Sequence, residues 1–128
     1  MGYPKDLKYS KEHEWVRLDG DRGVVGITDH AQSELGDVVY VELPEVGRGV
    51  AQDEAFAVAE SVKAVSDVYA PVGGKVVEAN DALGDAPELI NHSPYEDGWI
   101  AVLELEDAAQ LDGLMDAAAY EAFIGSLD

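Results

Sequence analysis

Lys63, in the stretch Glu60-Ser61-Val62-Lys63-Ala64, is the residue with the clearest potential for chemistry in this sequence. It is the only lysine between Lys11 and Lys75 in a chain of 27 acidic and 8 basic residues. A lone primary amine bracketed by Glu60 and Asp67 is a group that a modifying enzyme can single out. Residues 55–61 and 65–70 read as apolar strands, so Lys63 is expected where they reverse, exposed and rigidly held. Val62 and Ala64 are compact neighbours that leave the amine approachable. An ordinary solvated lysine is the default for any one position; the strand context and the lack of a competing amine favour an attachment site on a carrier. The turn lacks the Asn-Gly signature of a tight hairpin. Carboxylates beside an amine favour its charged form and so oppose acyl transfer to it. Glu60 is therefore expected to act as a recognition handle for the modifying enzyme, with plain solvation as the alternative, and not as an activator.

Self-sufficient catalytic sets are missing. His13, His30 and His92 lie far apart in sequence without zinc-helix spacing, and His13-Glu14 starts no His-Glu-x-x-His motif because position 17 is arginine. Each is expected on the surface or in a satisfied hydrogen bond. Ser61 and Ser66 have no recognisable base partner, and the turns at Gly47-Arg48-Gly49 and Gly73-Gly74 lack a phosphate-binding frame. With no cysteine, the chain offers no disulfide, thiolate ligand or cysteine nucleophile.

The elements that position Lys63 follow from patterning. Segments 13–18 and 23–28 read as strands joined at Asp19-Gly20-Asp21-Arg22. Thr28-Asp29 can cap a short helix through Leu35, which Gly36 stops. Residues 38–43, 55–61, 65–70, 75–78 and 99–105 read as further strands. A weak echo relates 37–50 to 67–76, each a strand with Pro followed by a Gly-rich turn and valine; it suggests two similar half-sheets with Lys63 at their crossing. Toward the C-terminus, Ala108, Leu111, Leu114 and Met115, then Tyr120, Phe123, Ile124 and Leu127, recur at helical spacing, with Asp107 and Asp116 as caps for two short helices.

At 128 residues with 47% hydrophobic side chains, one globular domain is expected over 1–128, its β core at about 8–105 and its closing helices at about 107–125. The net charge of −19 disfavours nucleic acid and anionic membranes and favours partners with basic docking faces. Solvation in a high-salt cytoplasm is the competing account of that charge. No apolar run approaches the ~20 residues of a membrane helix, and the start shows neither a secretory signal nor a myristoylation pattern. A soluble monomer is expected, in the cytoplasm or, for a processed eukaryotic chain, the mitochondrial matrix.

Longer motifs carry a resemblance. They are His13-Glu14-Trp15-Val16, the run from Val25-Gly26-Ile27-Thr28-Asp29-His30 to Gln32, Leu35-Gly36-Asp37-Val38-Val39-Tyr40 on to Pro44, the Lys63 pentapeptide, Ser66-Asp67-Val68-Tyr69-Ala70-Pro71, and Asn91 with Ser93-Pro94-Tyr95-Glu96-Asp97-Gly98-Trp99. Together they resemble the H proteins of the glycine cleavage system, in register from about Lys8 to Phe123. The resemblance implies a mainly β, lipoyl-domain-like barrel-sandwich hybrid of two sheets, with an N-terminal hairpin, short C-terminal helices and lipoate in amide linkage to Lys63. It implies a non-enzymatic carrier whose arm takes an aminomethyl group from a pyridoxal-phosphate glycine decarboxylase and yields it to a tetrahydrofolate-dependent aminomethyltransferase. A flavin (FAD) dihydrolipoamide dehydrogenase then reoxidises the arm, and a lipoylating enzyme installs it in the first place. Glu14 and Asp67 match family positions near the parked arm and are expected to hold its ammonium, with Ile27 and Leu35 shielding the thioether. Asp53-Glu54 departs from the family's usual lysine or glycine. A lipoyl domain of a 2-oxoacid dehydrogenase would show Asp-Lys-Ala, and a biotin carrier Met-Lys-Met. A paralogue serving lipoate relay stays open.

Overall fold

A computed structural model describes residues 3–127. Its framework is two antiparallel sheets. Strands β1 (Lys8–Tyr9), β2 (Glu14–Asp19), β3 (Arg22–Ile27), β4 (Val38–Glu42), β5 (Gly49–Val50), β6 (Ala55–Ser61), β7 (Val65–Tyr69), β8 (Gly74–Ala79) and β9 (Ala101–Leu105) divide unequally. The larger sheet runs β1-β2-β3-β9-β8-β5 and the smaller β4-β6-β7. The fold is the two-sheet, mainly β hybrid expected from the resemblance.

Local chemistry sets the elements. The β2–β3 hairpin turns on Gly20-Asp21, with Gly20 at φ +65°, as a Gly-first two-residue turn requires. Trp15 faces Gly26 across the strands. A Cβ on Gly26 would stand 2.6 Å from the indole, so glycine is what lets the ring lie flat over the neighbouring strand. The indole N–H donates to the carbonyls of Ile27 and Pro94, both at 3.0 Å, which satisfies its one polar atom in a fully buried site.

Helix α1 (Asp29–Leu35) is capped as its sequence predicts: the Thr28 hydroxyl accepts from Ala31 N, and Gly36 ends it at φ +88°. The main core lies between the sheets and includes Val25, Ile27, Leu35, Val41, Phe56, Ala59, Val68, Val76 and Leu103. A second cluster, Leu7, Tyr9, Trp15, Ala117 and Tyr120, forms where α4 (Ala117–Ser126) packs against β1.

Several expectations are corrected. Both halves of the echo feed both sheets: each begins on the small sheet (β4, β7) and its glycine-rich turn crosses to the large one (β5, β8), where β5 and β8 pair with each other. The chain therefore passes from the small sheet to the large one at the two Gly-rich turns. Lys63 instead sits at the β6–β7 reversal, inside the small sheet. The strand expected from Trp99 begins at Ala101, since Trp99 and Asp97 turn their carbonyls to the Asn80 amide. The segment capped by Asp107 winds as a 3₁₀ helix (Ala108–Gly113), not an α-helix, although Asp107 does accept from Ala109 N. Asp116 caps α4 through Ala119 N. The apolar stripe of α4 ends by Ile124, because Leu127 is exposed. Two four-residue helices, α2 (Ala82–Asp85) and α3 (Leu89–His92), were not foreseen; each buries one residue, Leu83 and Ile90.

Candidate functional site

The register pairs Glu60 with Val65, so Ser61, Val62, Lys63 and Ala64 form the reversal, with Val62-Lys63 at its tip. Neither tip residue has a positive φ, so this is not the mirror-image turn that Asn-Gly would make. Ser61 supplies the missing rigidity. Its hydroxyl oxygen accepts from Lys63 N at 3.2 Å and Ala64 N at 3.0 Å, while Ser61 N donates to Ala64 O at 2.7 Å. Val62 N also donates to Asp37 O at 3.1 Å, tying the tip to the linker between α1 and β4.

That linker is itself clamped. Asn91, on α3, accepts from Val38 N at 2.9 Å and donates to Gly36 O at 2.8 Å and to the Gln32 side chain at 2.9 Å. The Lys63 stem runs over Gly36, where an added Cβ would stand 3.1 Å from Cε. The end of α1 thus lies directly under the lysine stem. Backbone at Val62, Lys63 and Ala64 is held while their side chains are exposed. A group joined to Nζ would swing from a fixed point.

Glu60 lies on the outward face of the small sheet, opposite Tyr40 on one side and Val65 on the other. Asp67 is exposed on that same face one row farther from the tip, in register with Val58 and Glu42. Glu14 is elsewhere, in the interior. It is 2% exposed, accepts from the Ser10 hydroxyl, and accepts from Tyr69 N at 3.2 Å, so its carboxyl meets β7 two residues beyond Asp67. Burial pushes its pKa up to about 7 despite those two hydrogen bonds, and the nearby Glu12 and Asp53 charges push the same way. Two surface cavities, of about 470 and 160 Å³, open here and share Glu12 and Asp53 in their walls. Ile27 and Leu35 are core residues, 5% and 7% exposed, with Ile27 opposite Glu14 and Leu35 next to Gly36.

Sequence reasoning missed the two residues that make the turn rigid. Ser61 reads in sequence as a serine without a base partner and as the first residue of a turn lacking Asn-Gly; that its hydroxyl caps the turn follows only from the reversal that sets it against Ala64. No local signal marked Asn91, whose partners lie more than fifty residues away. His13 and His30, far apart in sequence, come together in the fold: their ring centroids are 4.6 Å apart with the planes tilted at 45°, and His13 Nδ1 is 2.8 Å from the Tyr120 hydroxyl. Burial and the His30 charge hold His13 below the usual histidine range.

A family model described as Glycine cleavage H-protein matches residues 7–126. The chain belongs to the glycine cleavage H-protein family. It is 61% identical over 124 residues to a glycine cleavage system H protein of Brevibacillus brevis, covering 97% of this chain and 98% of that protein. It is 64% identical over 120 residues to that of Symbiobacterium thermophilum, covering 94% of each. The crystal structure of an H protein from Mycobacterium marinum superposes with a TM-score of 0.88 at 38% identity, over 96% of this chain and 99% of that one. In this H-protein-family chain, the Ser61 cap, the Asn91 clamp and the Gly36 gap all converge on a single exposed amine.

Proposed function

We propose that the chain is a lipoyl carrier of the glycine cleavage system, with lipoate in amide linkage to Lys63. The observation that carries this reading is an exposed amine on a backbone fixed by Ser61 and Asp37, with room for its stem over Gly36. Bound there, lipoate supplies a disulfide able to accept the aminomethyl carbon of glycine together with two electrons, and to surrender both. Every other task falls to the protein. Lys63 presents the attachment point, and the rigid turn restricts the search volume, so tethering raises the effective concentration at each partner's site. Those partners are a pyridoxal-phosphate glycine decarboxylase, a tetrahydrofolate-dependent aminomethyltransferase and an FAD-dependent dihydrolipoamide dehydrogenase, with a lipoylating enzyme acting first.

Asp67 and Glu14 are assigned to hold a cationic amine at the far end of the arm. Glu14, about half protonated at pH 7, would ionise fully as a cation approaches, because an opposite charge lowers a carboxyl pKa. Ile27 and Leu35 are assigned to exclude water beside it. The test is incubation of the chain with a competent lipoylating enzyme, intact mass and peptide mapping, and then glycine-dependent loading by the decarboxylase. A single lipoyl group on Lys63 followed by loading is the expected result. A bare Lys63 refutes the carrier reading, and modification without loading points to lipoate relay instead.

A further inference from the structure

Among the described residues seven large apolar side chains stand exposed, and four of them, Val39, Tyr40, Val62 and Val65, gather around the Lys63 turn at 52, 53, 70 and 66% exposure. The register shows why they form a surface. Tyr40, Glu60 and Val65 are directly opposed across β4, β6 and β7, and residues so opposed project from the same face. Val62 extends that row over the tip, and Val39 sits at the bulge beside Tyr40. The next row on the same face is Glu42, Val58 and Asp67. The two ion pairs among the described residues, His30–Glu34 and Arg48–Glu54, lie elsewhere, so Glu42, Glu60 and Asp67 have no basic partner among the described residues.

A patch of this kind, with exposed apolar side chains on both sides of a central Glu60 and with Glu42 and Asp67 on the outer strands one row away, marks an interaction site. We propose that it is the docking surface for the enzyme that acylates Lys63, a partner presenting apolar surface to Tyr40, Val62 and Val65 and lysine or arginine to Glu60, Glu42 and Asp67. The inference rests on the acylation of Lys63 proposed above. Charge complementarity fixes the sign of the partner's facing charges. Proximity fixes which partner. Enzymes that act on the far end of a long arm can work at a distance from the turn, but acylation needs Nζ itself in the active site. In that step Nζ bonds to the carbonyl carbon of an activated lipoyl donor held by the enzyme, the donor's leaving group departs with its bonding pair, and the ammonium gives up two protons. The acylating enzyme must therefore close on Val62 and Val65, the immediate neighbours of the lysine.

The experiment compares the unmodified wild-type chain with a Tyr40→Thr/Val65→Thr variant, whose threonines keep strand propensity while removing apolar surface. Leu18→Thr and Val46→Thr serve as controls, because both side chains are exposed away from this face. Acylation at Lys63 is followed by intact mass, urea unfolding confirms that the fold is kept, and the chains driven to full acylation are then assayed for glycine-dependent loading. For the double variant, kcat/KM for acylation should fall about tenfold, through KM, and at least about fivefold more than loading falls. The controls should stay within about twofold of wild type, and raising salt from about 50 to about 500 mM should raise the wild-type KM. Unchanged acylation of the double variant overturns the docking surface and leaves the carrier reading intact. A wild type that is never acylated refutes the carrier reading itself. An equal or larger loss of loading assigns the face to the decarboxylase, and a concentration-dependent dimer that the variant abolishes assigns it to a second copy; either overturns the proposal.

Discussion

Lys63 was legible from its sequence because isolation among acids and strand patterning on both sides are local properties. What holds it was not, since a serine cap is recognisable only once the register shows that Ser61 faces Ala64. Replacing Ser61 by Ala removes the acceptor of two amide protons at a surface turn, where water can partly substitute. The expected cost is about 1 kcal/mol, read from urea unfolding, with faster hydrogen exchange at Lys63 and Ala64 as the local signature. Unaltered exchange at those amides would remove Ser61 from its assigned role. Glu14 gives a prediction with a definite pH window. Its folded-state pKa is about 7, raised from an ordinary 4.5 mainly by burial. Below about pH 4.5 the carboxyl is protonated folded and unfolded, and above about 7 it is ionised in both. Between those limits the folded state binds the extra proton, so stability falls as pH rises. Glu14→Gln has no proton to lose, and its amide can donate to Ser10 while its carbonyl accepts from Tyr69 N. Its stability relative to wild type should therefore climb by up to about 3 kcal/mol from pH 4.5 to 7.5, measured by urea unfolding across the range. A difference independent of pH would mean that Glu14 ionises normally despite its burial. Why Glu14 belongs inside was not readable from sequence either, since Ser10 is local to it but Tyr69 is fifty-five residues away.

At the level of elements, short-range chemistry was readable and long-range clamping was not. The Thr28 cap, the Gly36 stop, the Gly20 turn and the Asp107 and Asp116 caps each depend on residues within a few positions of one another, and each occurs where expected. The 3₁₀ winding after Asp107 and the two four-residue helices depend on what the chain packs against, and propensity over so few residues decides little. The α1–β4 linker shows the consequence for the site. Asn91 joins Val38 N, Gly36 O and Gln32, and Asp37 between them accepts from Val62 N. Asn91→Ala should cost about 2–3 kcal/mol, because it leaves a partly buried N–H and a carbonyl without partners. The same change should loosen the Lys63 tip, seen as faster exchange at Val62 N, whereas an equally destabilising core change such as Val76→Ala should leave that amide protected under native conditions. Gly36→Ala attacks the same junction differently. It forces a β-carbon into a positive-φ position 3.1 Å from Lys63 Cε, so a loss of about 1–2 kcal/mol should come with a displaced lysine stem and slower acylation.

Across the whole molecule the dominant fact is charge. The fold needs little of it: the core between the sheets and the cluster under α4 are apolar, and the described residues make only two ion pairs, one of them involving a histidine. A formal −19 on 128 residues is thus almost entirely unpaired and spread over the surface, where it repels itself. Self-repulsion opposes compaction and is screened once the Debye length falls below the spacing between charges, ~10 Å at 0.1 M and ~3 Å at 1 M. The melting temperature should accordingly rise by about 5 °C between 10 mM and 1 M NaCl, most of it by ~0.2 M. Sucrose, which stabilises by exclusion and not by screening, should give no such early saturation. The same salt should weaken the acylating enzyme's grip on the Glu42–Glu60–Asp67 face, so stability and acylation rate should move in opposite directions as salt increases. Two accounts of the acid excess, solvation in high salt and electrostatic docking, separate on this comparison. A melting temperature that keeps climbing to molar salt while acylation stays efficient supports a surface suited to a saline cytoplasm. Early saturation of stability with a steep loss of acylation supports docking, and a melting temperature indifferent to salt would show that neither the fold nor its surface charge is under the electrostatic strain inferred here.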